Sequence, residues 1–382
     1  MIQLAAETKH ELFLFRSKNN PIPQFNQGQI HDILIDIKPI KRIYYKLLRI
    51  VSNIVEIFIG EEFDIRKYIK RLSGEEKLIQ NNNIDVMWYV GPHCVTTEVP
   101  YIFTVLDLQH RIQPYFPEVS NHGVWEKREK LYSEKMRRAA FVIVSTDLGK
   151  LEIEKFYQVP GDRIVVLPYA PPPVDSTSHV TNDVLKKYNL KSGYLFYPGQ
   201  FWPQKNHVGL LHAIRLLRDE WNISLSAVFV GSDKGNQNYI KETITRLGLS
   251  KQVHILGFVP REDLIALYQN ALALTMPTLV GPDNIPSLEA FALQCPVISS
   301  NLPGFKEQLG DAALLVDPKS EKQIALSIKA LYEDQELRQR LIQKGLKRTA
   351  EWTWTDYVKG VIKIIDEFEP IRRTWSSKEV YK

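Results

Sequence analysis

Cysteine is nearly absent from this chain: two of 382 residues, Cys94 and Cys295, lie far apart in sequence. With no CxxC pair and no histidine-rich partner set, neither a disulfide framework nor a zinc site is indicated, and a reducing, cytoplasmic compartment is expected. Long apolar runs are missing too. Nowhere do the roughly 18 consecutive apolar residues of a membrane-spanning helix occur. The opening stretch MIQLAAETKHELFLF carries polar and acidic residues where a signal peptide needs an unbroken apolar core. The expectation is a soluble protein that neither spans a membrane nor is secreted. Low-complexity tracts, short repeats and nucleic-acid recognition motifs are also lacking. A net charge of +5 is too small to imply nucleic-acid binding, although it suits phosphates or an acidic lipid surface.

What is present is an ordinary globular composition, 44% hydrophobic and 24% charged, in a chain longer than one core usually organises, so two domains are expected. From about residue 84 short β-rich segments alternate with helical patterns, as in parallel strands joined by crossover helices. Candidate strands in the first half are Ile84–Val90, Tyr101–Leu106, Phe141–Ser145 and Ile164–Pro168. The stretch APPPVDSTSHVTND sustains neither helix nor central strand and reads as a linker. Beyond it YLFYPG, SAVFVGS, VHILGFV, ALALTMPT, CPVISSN and ALLVDP form a second series, the pattern of a doubly wound α/β domain. The expected division is 1–170, a linker at 171–183, a domain over 184–355 and a C-terminal helix over 356–382 returning toward the first domain.

Two features of the first domain are unusual. Ile40 to Phe58 spaces its apolar residues as one face of a helix with Lys41, Arg42, Lys46 and Arg49 on the other. That pattern suits a core-facing helix or one lying on an anionic membrane surface. Met1 to Lys9 reads as helix and Leu12 to Phe15 as strand, whereas a doubly wound domain normally opens with a strand and a glycine-rich turn. Either the chain starts late, without its first strand, or the domain is a helix-first variant.

Two loops carry the chemistry. In YPGQFWPQKNH (197–207) a buried strand ends at Gly199 and a helix begins near Asn206. Strand C-termini are where ligands bind on an open α/β sheet, and helix N-termini there offer N–H groups to anions. Gly199 permits close backbone approach and Lys205 adds a charge, so the loop reads as a phosphate cradle or, more plainly, as a structural turn with a surface lysine. In TLVGPDNIPSLEAFALQCPVISS (278–300) a Gly/Pro/Asn-rich loop enters a helix near Pro286 and Ser287. Pro286 suits the first turn, Ser287 can satisfy free amides, and Glu289 is placed within the first turn, where a carboxylate favours the helix dipole or accepts hydrogen bonds from vicinal hydroxyls.

Together these pieces resemble the retaining family-4 glycosyltransferases (glycosyl transferases group 1) of GT-B architecture. The shared order is a strand–Gly turn with a phosphate-binding lysine, the VFVGSD turn around Gly231, VHILGFVPREDLIALY, and a glutamate-bearing loop ending in EA and followed by PVI. The resemblance implies an α/β protein of two Rossmann-like doubly wound domains facing each other across a cleft. It implies transfer of a sugar from a UDP- or GDP-linked donor to a glycan or lipid-linked acceptor, as in polysaccharide biosynthesis, with no cofactor, no metal site and no nucleic-acid partner. The setting would be the cytoplasm, with peripheral contact at the inner face of an anionic membrane. Lys205 would grip the donor diphosphate, with Gly199, Gln200 and Asn206 around it. Phe258, within Gly257 to Val259, would lie by the nucleobase. Glu289 would hold the ribose hydroxyls, and Asp283, Asn284, Ile285, Ser287 and Leu288 would surround sugar and phosphates.

On the acceptor side the segment YIFTVLDLQHRIQPYFPE makes Asp107 and His110 the catalytic-side candidates, although Leu106 stands where the family often carries histidine. Two further departures matter. Gln200 replaces a common arginine, and Gly281 replaces a glutamate eight positions before Glu289, leaving Asp283 or Asn284 to meet the sugar. Retention would follow from front-face attack, the departing phosphate accepting the acceptor's proton. The alternative reading is a catalytically inactive GT-B protein acting as a subunit or binding partner.

Overall fold

The computed structural model describes residues 8–17, 30–35, 75–92, 94, 98–171 and 183–375. The basic amphipathic segment from Ile40 to Phe58, His93, most of the first nine residues and most of the proline-rich linker lie outside the described residues. β1 (Leu12–Ser17) and β2 (Ile30–Ile35) pair in parallel, Leu12 opposite Ile30. After α1 (Glu75–Asn81) come β3 (Met87–Tyr89), β4 (Tyr101–Thr104), β5 (Phe141–Val144) and β6 (Ile164–Val166), a four-stranded sheet in that order. Between β4 and β5 run α2 (Gln109–Ile112), α3 (Pro117–Ser120) and α4 (Val124–Lys135), and α5 (Asp147–Tyr157) joins β5 to β6. These strands are shorter than the sequence suggests. The expected Tyr101–Leu106 strand stops at Thr104, because Asp107 binds the amide of Gln109 and turns the chain into α2.

After α6 (Asp183–Lys187) the chain alternates without exception: β7 (Tyr194–Pro198), α7 (His207–Trp221), β8 (Ala227–Val230), α8 (Gln237–Arg246), β9 (Val253–Gly257), α9 (Arg261–Gln269), β10 (Ala271–Met276), α10 (Ile285–Ala292), β11 (Val297–Ser300), α11 (Pro303–Leu309) and β12 (Leu314–Val316). The strands form one sheet of order β12-β11-β10-β7-β8-β9, in which β7 sits between β10 and β8 and reverses the direction of winding. Each pair is parallel, so all C-terminal ends share one edge. The central strands β7 and β8 are buried along their whole length, as hydrophobic runs covered by helices on both faces require. α12 (Glu321–Glu333), α13 (Gln335–Glu351) and α14 (Trp354–Arg372) complete the chain.

The residues divide into two compact units. One holds the chain up to Thr104, Arg138–Val142 and the chain from Val358 onward; the other holds Val105–Arg137 and Ile143–Tyr357. Within the first, α14 meets the N-terminal half: Asp366 pairs with His10 at 3.0 Å, Arg372 with Asp85 at 2.9 Å, and Phe368 packs edge-on to Phe141. The division does not follow the 171–183 linker. Gln113, Glu118 and Ser145 all hydrogen-bond to residues beyond it, at Leu279, Gln204 and Asp283, which gathers loops from both sides of the linker into the second unit.

At the C-terminal edge of this sheet, β7 and β8 run into Gly199 and Gly231 and β9 ends at Gly257, with the Gly231 amide donating to the Gly257 carbonyl at 2.9 Å. Gly231 adopts φ +154°, and a Cβ there would stand 2.2 Å from the Gly199 carbonyl oxygen. The two backbones meet so closely that only glycine fits. Gly231→Ala is therefore expected to cost about 1–3 kcal/mol, the range for strain at a special backbone position. Urea unfolding should show a lowered midpoint with an unchanged slope; a midpoint equal to that of the parent would refute the close approach.

Candidate functional site

Lys205 ends a single 3-10 turn, Pro203–Lys205, between Gly199 and α7. The turn is fastened from below. The Tyr197 hydroxyl donates to the Lys205 carbonyl, and His207, the first residue of α7, stacks on the Tyr197 ring at 4.1 Å. Burial, with the Lys205 charge beside it, pushes His207 down to about 3, so it packs as a neutral ring. Asn206 caps α7 by accepting from the Gly209 amide at 3.2 Å, and its side-chain N–H groups donate to the carbonyls of Pro277 and Pro318. That side chain is fully used. The expected donor contact from Asn206 is therefore corrected to a positioning role for its side chain: it locks the turn so that Lys205 keeps its place.

The Lys205 ammonium makes no hydrogen bond or ion pair among the described residues. Burial lowers its pKa, while the charges of Asp283, Asp107 and Glu118 draw it back up. A partly dehydrated cation without a direct partner is costly unless a ligand supplies one. Glu118 is itself held, accepting from the Gln204 amide at 3.1 Å. Beside the turn Gln200 is exposed and accepts from the Trp202 indole N–H at 2.9 Å, and Lys234 lies over the Trp202 ring. Phe258 is 89% exposed at the end of β9. An uncovered aromatic ring on that edge can receive a planar base.

The second loop docks on α11. A Cβ on Gly304 would collide with the Pro282 carbonyl oxygen at 1.9 Å, so the loop rests on bare helix backbone. The Asn284 amide donates to Gln308 at 2.8 Å, and Asn284 itself is buried. Asp283 accepts from the Ser145 hydroxyl; burial pushes it up to about 6, opposed by that bond, and Asp107 also raises it. Ile285 is 40% exposed at the start of α10, whereas Leu288 and Ser287 are buried. Two expectations need correction here. The Ser287 hydroxyl is buried and has no hydrogen-bond partner among the described residues, so it caps nothing there. Glu289 stands one residue past the first turn, because α10 begins at Ile285 and not at Pro286. Its carboxylate accepts from the Tyr268 hydroxyl at 2.8 Å, and burial raises its pKa. The Tyr268 bond holds the half-buried carboxylate in place from within.

The N-terminal candidates separate. Asp107 is clamped by Arg128, whose guanidinium donates to its carboxylate at 2.6 Å and its carbonyl at 2.7 Å, and it lines a small cavity with Ser145, Glu152 and Pro282. Burial, and then the Asp107 charge, push Glu152 up to about 7. His110 is fully buried. It sits one helical turn beyond Asp107, which carries the side chain inward under α4 instead of outward. Nε2 meets the Tyr157 hydroxyl at 3.1 Å and Glu129 at 3.3 Å, and burial followed by the Arg128 charge lowers the ring to about 4. A neutral, unexposed imidazole touches no substrate, so the catalytic reading of His110 is corrected to a positioning one. It helps anchor the Glu129–Arg111 pair beneath the loop.

The structure thus brings Gly199, Gly231, Lys205, Asp283 and Asp107 together and leaves His110 behind them. Ser145, Glu118, Arg128 and Glu152 were missed. Glu118 lay in the segment singled out around Asp107, and Ser145 at the end of a candidate strand, but nothing in the sequence signals the loops that Ser145, Arg128 and Glu152 meet. Among the described residues, no three His, Cys, Asp or Glu side chains form a metal-capable group, and no helix is long and apolar enough to cross a membrane.

Because folding raises the pKa of Asp283, its contribution to stability is complete below its unfolded value near 3.8 and is lost as pH rises through about 6. Asp283→Asn should therefore be more stable than the parent at pH 7.5, on the order of 1–2 kcal/mol. The gain should shrink by pH 5, as followed by thermal unfolding at both pH values. An equal difference at the two pH values would show that Asp283 does not titrate in this way.

Residues 183–348 match the family described as "Glycosyl transferases group 1". The O-antigen chain mannosyltransferase B of Escherichia coli is 29% identical over 233 residues, which are 59% of this chain and 60% of that protein. The match thus spans about three fifths of that relative's length. Sucrose-phosphate synthase from Thermosynechococcus elongatus superposes with a TM-score of 0.70 at 16% identity, covering 97% of this chain and 92% of the other. WaaG, a glycosyltransferase involved in lipopolysaccharide biosynthesis, superposes at 0.65 and 16% identity over 95% and 93%. The fold is that of the GT-B glycosyltransferases, and residues 183–348 carry the glycosyl transferases group 1 match within it.

Proposed function

We propose that the chain is a retaining hexosyltransferase of family 4 that moves a sugar from a nucleoside-diphosphate donor to a glycan or lipid-linked acceptor in polysaccharide biosynthesis. The observation that carries this reading is Lys205: a half-buried ammonium with no direct partner among the described residues, at the C-terminal edge of a doubly wound sheet. Departure of a nucleoside diphosphate leaves negative charge on phosphate oxygens, and a fixed cation in a dehydrated site stabilises that charge most effectively. Phe258 and Glu289 would take the base and the ribose, and Asp283 would meet the transferred sugar. The mannosyl relative makes mannose the first sugar to test. The departing phosphate would accept the acceptor's proton, so no side-chain base and no metal ion is needed. The place of work would be the cytoplasm, at the inner face of the membrane. His110, sealed in the interior, and Gly281, without a carboxylate, favour one second reading: a chain that binds the donor but serves as a partner subunit.

Titration calorimetry with GDP and UDP tests the carrying observation. Lys205→Ala should weaken the preferred nucleotide about 10- to 100-fold, as loss of a charge-assisted contact to phosphate implies. Unchanged affinity would remove the phosphate assignment. Turnover is tested separately with GDP-mannose and a mannoside acceptor, with and without EDTA, the product's anomeric proton being read by NMR. The expected product keeps the donor's α-configuration and forms equally in EDTA. Tight nucleotide binding with no product from any donor would favour the partner-subunit reading.

A further inference from the structure

The turn that carries Lys205 is held from outside as well as from below. Gln204, its middle residue, is a junction: its carbonyl accepts from the Leu279 amide at 2.8 Å and from the Thr278 hydroxyl at 3.1 Å, which ties the turn to the loop before α10. Its amide donates to the Glu118 carboxylate at 3.1 Å, and the Leu279 carbonyl accepts from the Gln113 side chain at 3.2 Å. Gln113 and Glu118 lie on one short stretch of chain, just after α2 and in the first turn of α3. A single stretch from the N-terminal half therefore grips both loops expected to hold the donor, at one point on each.

That stretch is itself anchored. Arg111 Nε donates to Glu129 on α4 at 2.6 Å, the Trp125 indole N–H donates to the His110 carbonyl at 2.7 Å, and the Ser120 hydroxyl donates to the Phe116 carbonyl at 2.6 Å. A grip made from a rigid base fixes a position; the same bonds made from a loose loop would not.

Stability alone does not account for these two side chains. Glu118 Oε2 and Gln113 Oε1 are both buried and have no hydrogen-bond partner among the described residues, so each side chain gives up a solvated oxygen in return for one bond to backbone. Glu118 also sets a negative charge near a turn proposed to bind an anion, where direct contact would repel phosphate. An acid there serves the site by holding its cation in place, not by touching the ligand. Its charge reaches Lys205, with those of Asp283 and Asp107, and opposes the effect of burial.

We infer that Glu118 is a positioning residue for donor binding: by fixing the Gln204 amide, with Gln113 fixing the loop beside it, it sets the place from which the Lys205 ammonium meets phosphate. The inference rests on the proposed donor site and adds the residues that act on it from the other half of the chain. Because Glu118 acts through Lys205, its contribution should vanish when that lysine is gone, whereas a role in general stability would not depend on it.

Titration calorimetry of the full chain with GDP and UDP tests this. Glu118→Ala should weaken the preferred nucleotide about five- to tenfold, the value of one lost hydrogen bond. Glu118→Gln keeps an accepting oxygen for the Gln204 amide and should recover most of that loss. In the Lys205→Ala background, adding Glu118→Ala should change affinity by about twofold at most. Gln113→Leu, which keeps the bulk and removes the donor, should weaken binding in the same direction and takes the place of Glu118→Ala if that variant does not fold. The inference is overturned if Glu118→Ala binds nucleotide as the parent does, if its loss is as large without Lys205, or if Glu118→Gln is as weak as Glu118→Ala. Affinity that depends on Lys205 but not on Glu118 would leave the proposed function standing, whereas affinity indifferent to Lys205 would remove both.

Discussion

A single cation held partly out of water organises the C-terminal half of this protein. Lys205 cannot be kept there by its own energetics, since burial favours its neutral form and no carboxylate lies within ion-pairing distance among the described residues. It is kept by what surrounds it: the Tyr197 hydroxyl on its carbonyl, the stacked His207 ring, and Asn206 tied to two loops at once. Each of these is a short-range contact that the β7–α7 connection can make only if β7 is central and its neighbours end level with it. The sheet order and the close approach of Gly199 to Gly231 are therefore conditions for holding that charge at the edge.

The same economy explains the N-terminal loop. Arg128 is committed to Asp107, and Arg111 to Glu129, so neither guanidinium is left to compete with Lys205 for a ligand. His110 completes the second pair as a neutral group, because a charged imidazole there would sit beside Arg128 without water. The acids that face the lysine act differently from one another. Glu118 is fixed by a backbone amide, whereas Asp283 is pushed up to about 6 by burial. That places a carboxyl group with a raised pKa between Lys205 and a cavity bordered by Tyr169 and Trp352.

Much of this was legible in the order of residues. Alternating strands and helices after residue 190, the glycine at the end of β7, the lysine before α7 and the loop before α10 were all read from local pattern, and the structure places them on one edge. Local pattern misled where a side chain's direction depended on a turn it did not show. His110 looked cleft-facing because it follows a buried strand, but a helical turn after Asp107 rotates it inward. Glu289 looked like a first-turn acid because Pro286 resembles a helix start, yet the helix begins one residue earlier. Ser287 looked like a cap for the same reason and is a buried hydroxyl with no partner among the described residues.

What the sequence determined alone was the set of elements and the residue types at their ends, since periodicity, proline, glycine and helix-start chemistry act over a few neighbouring positions. What only the tertiary structure decided was which of those ends meet. The bond from Ser145 to Asp283, the hold of Glu118 on the Lys205 turn and the cavity bordered by Tyr169 and Trp352 join residues more than 80 positions apart. Contacts of that separation leave no period in the chain, because they arise from packing and not from local propensity.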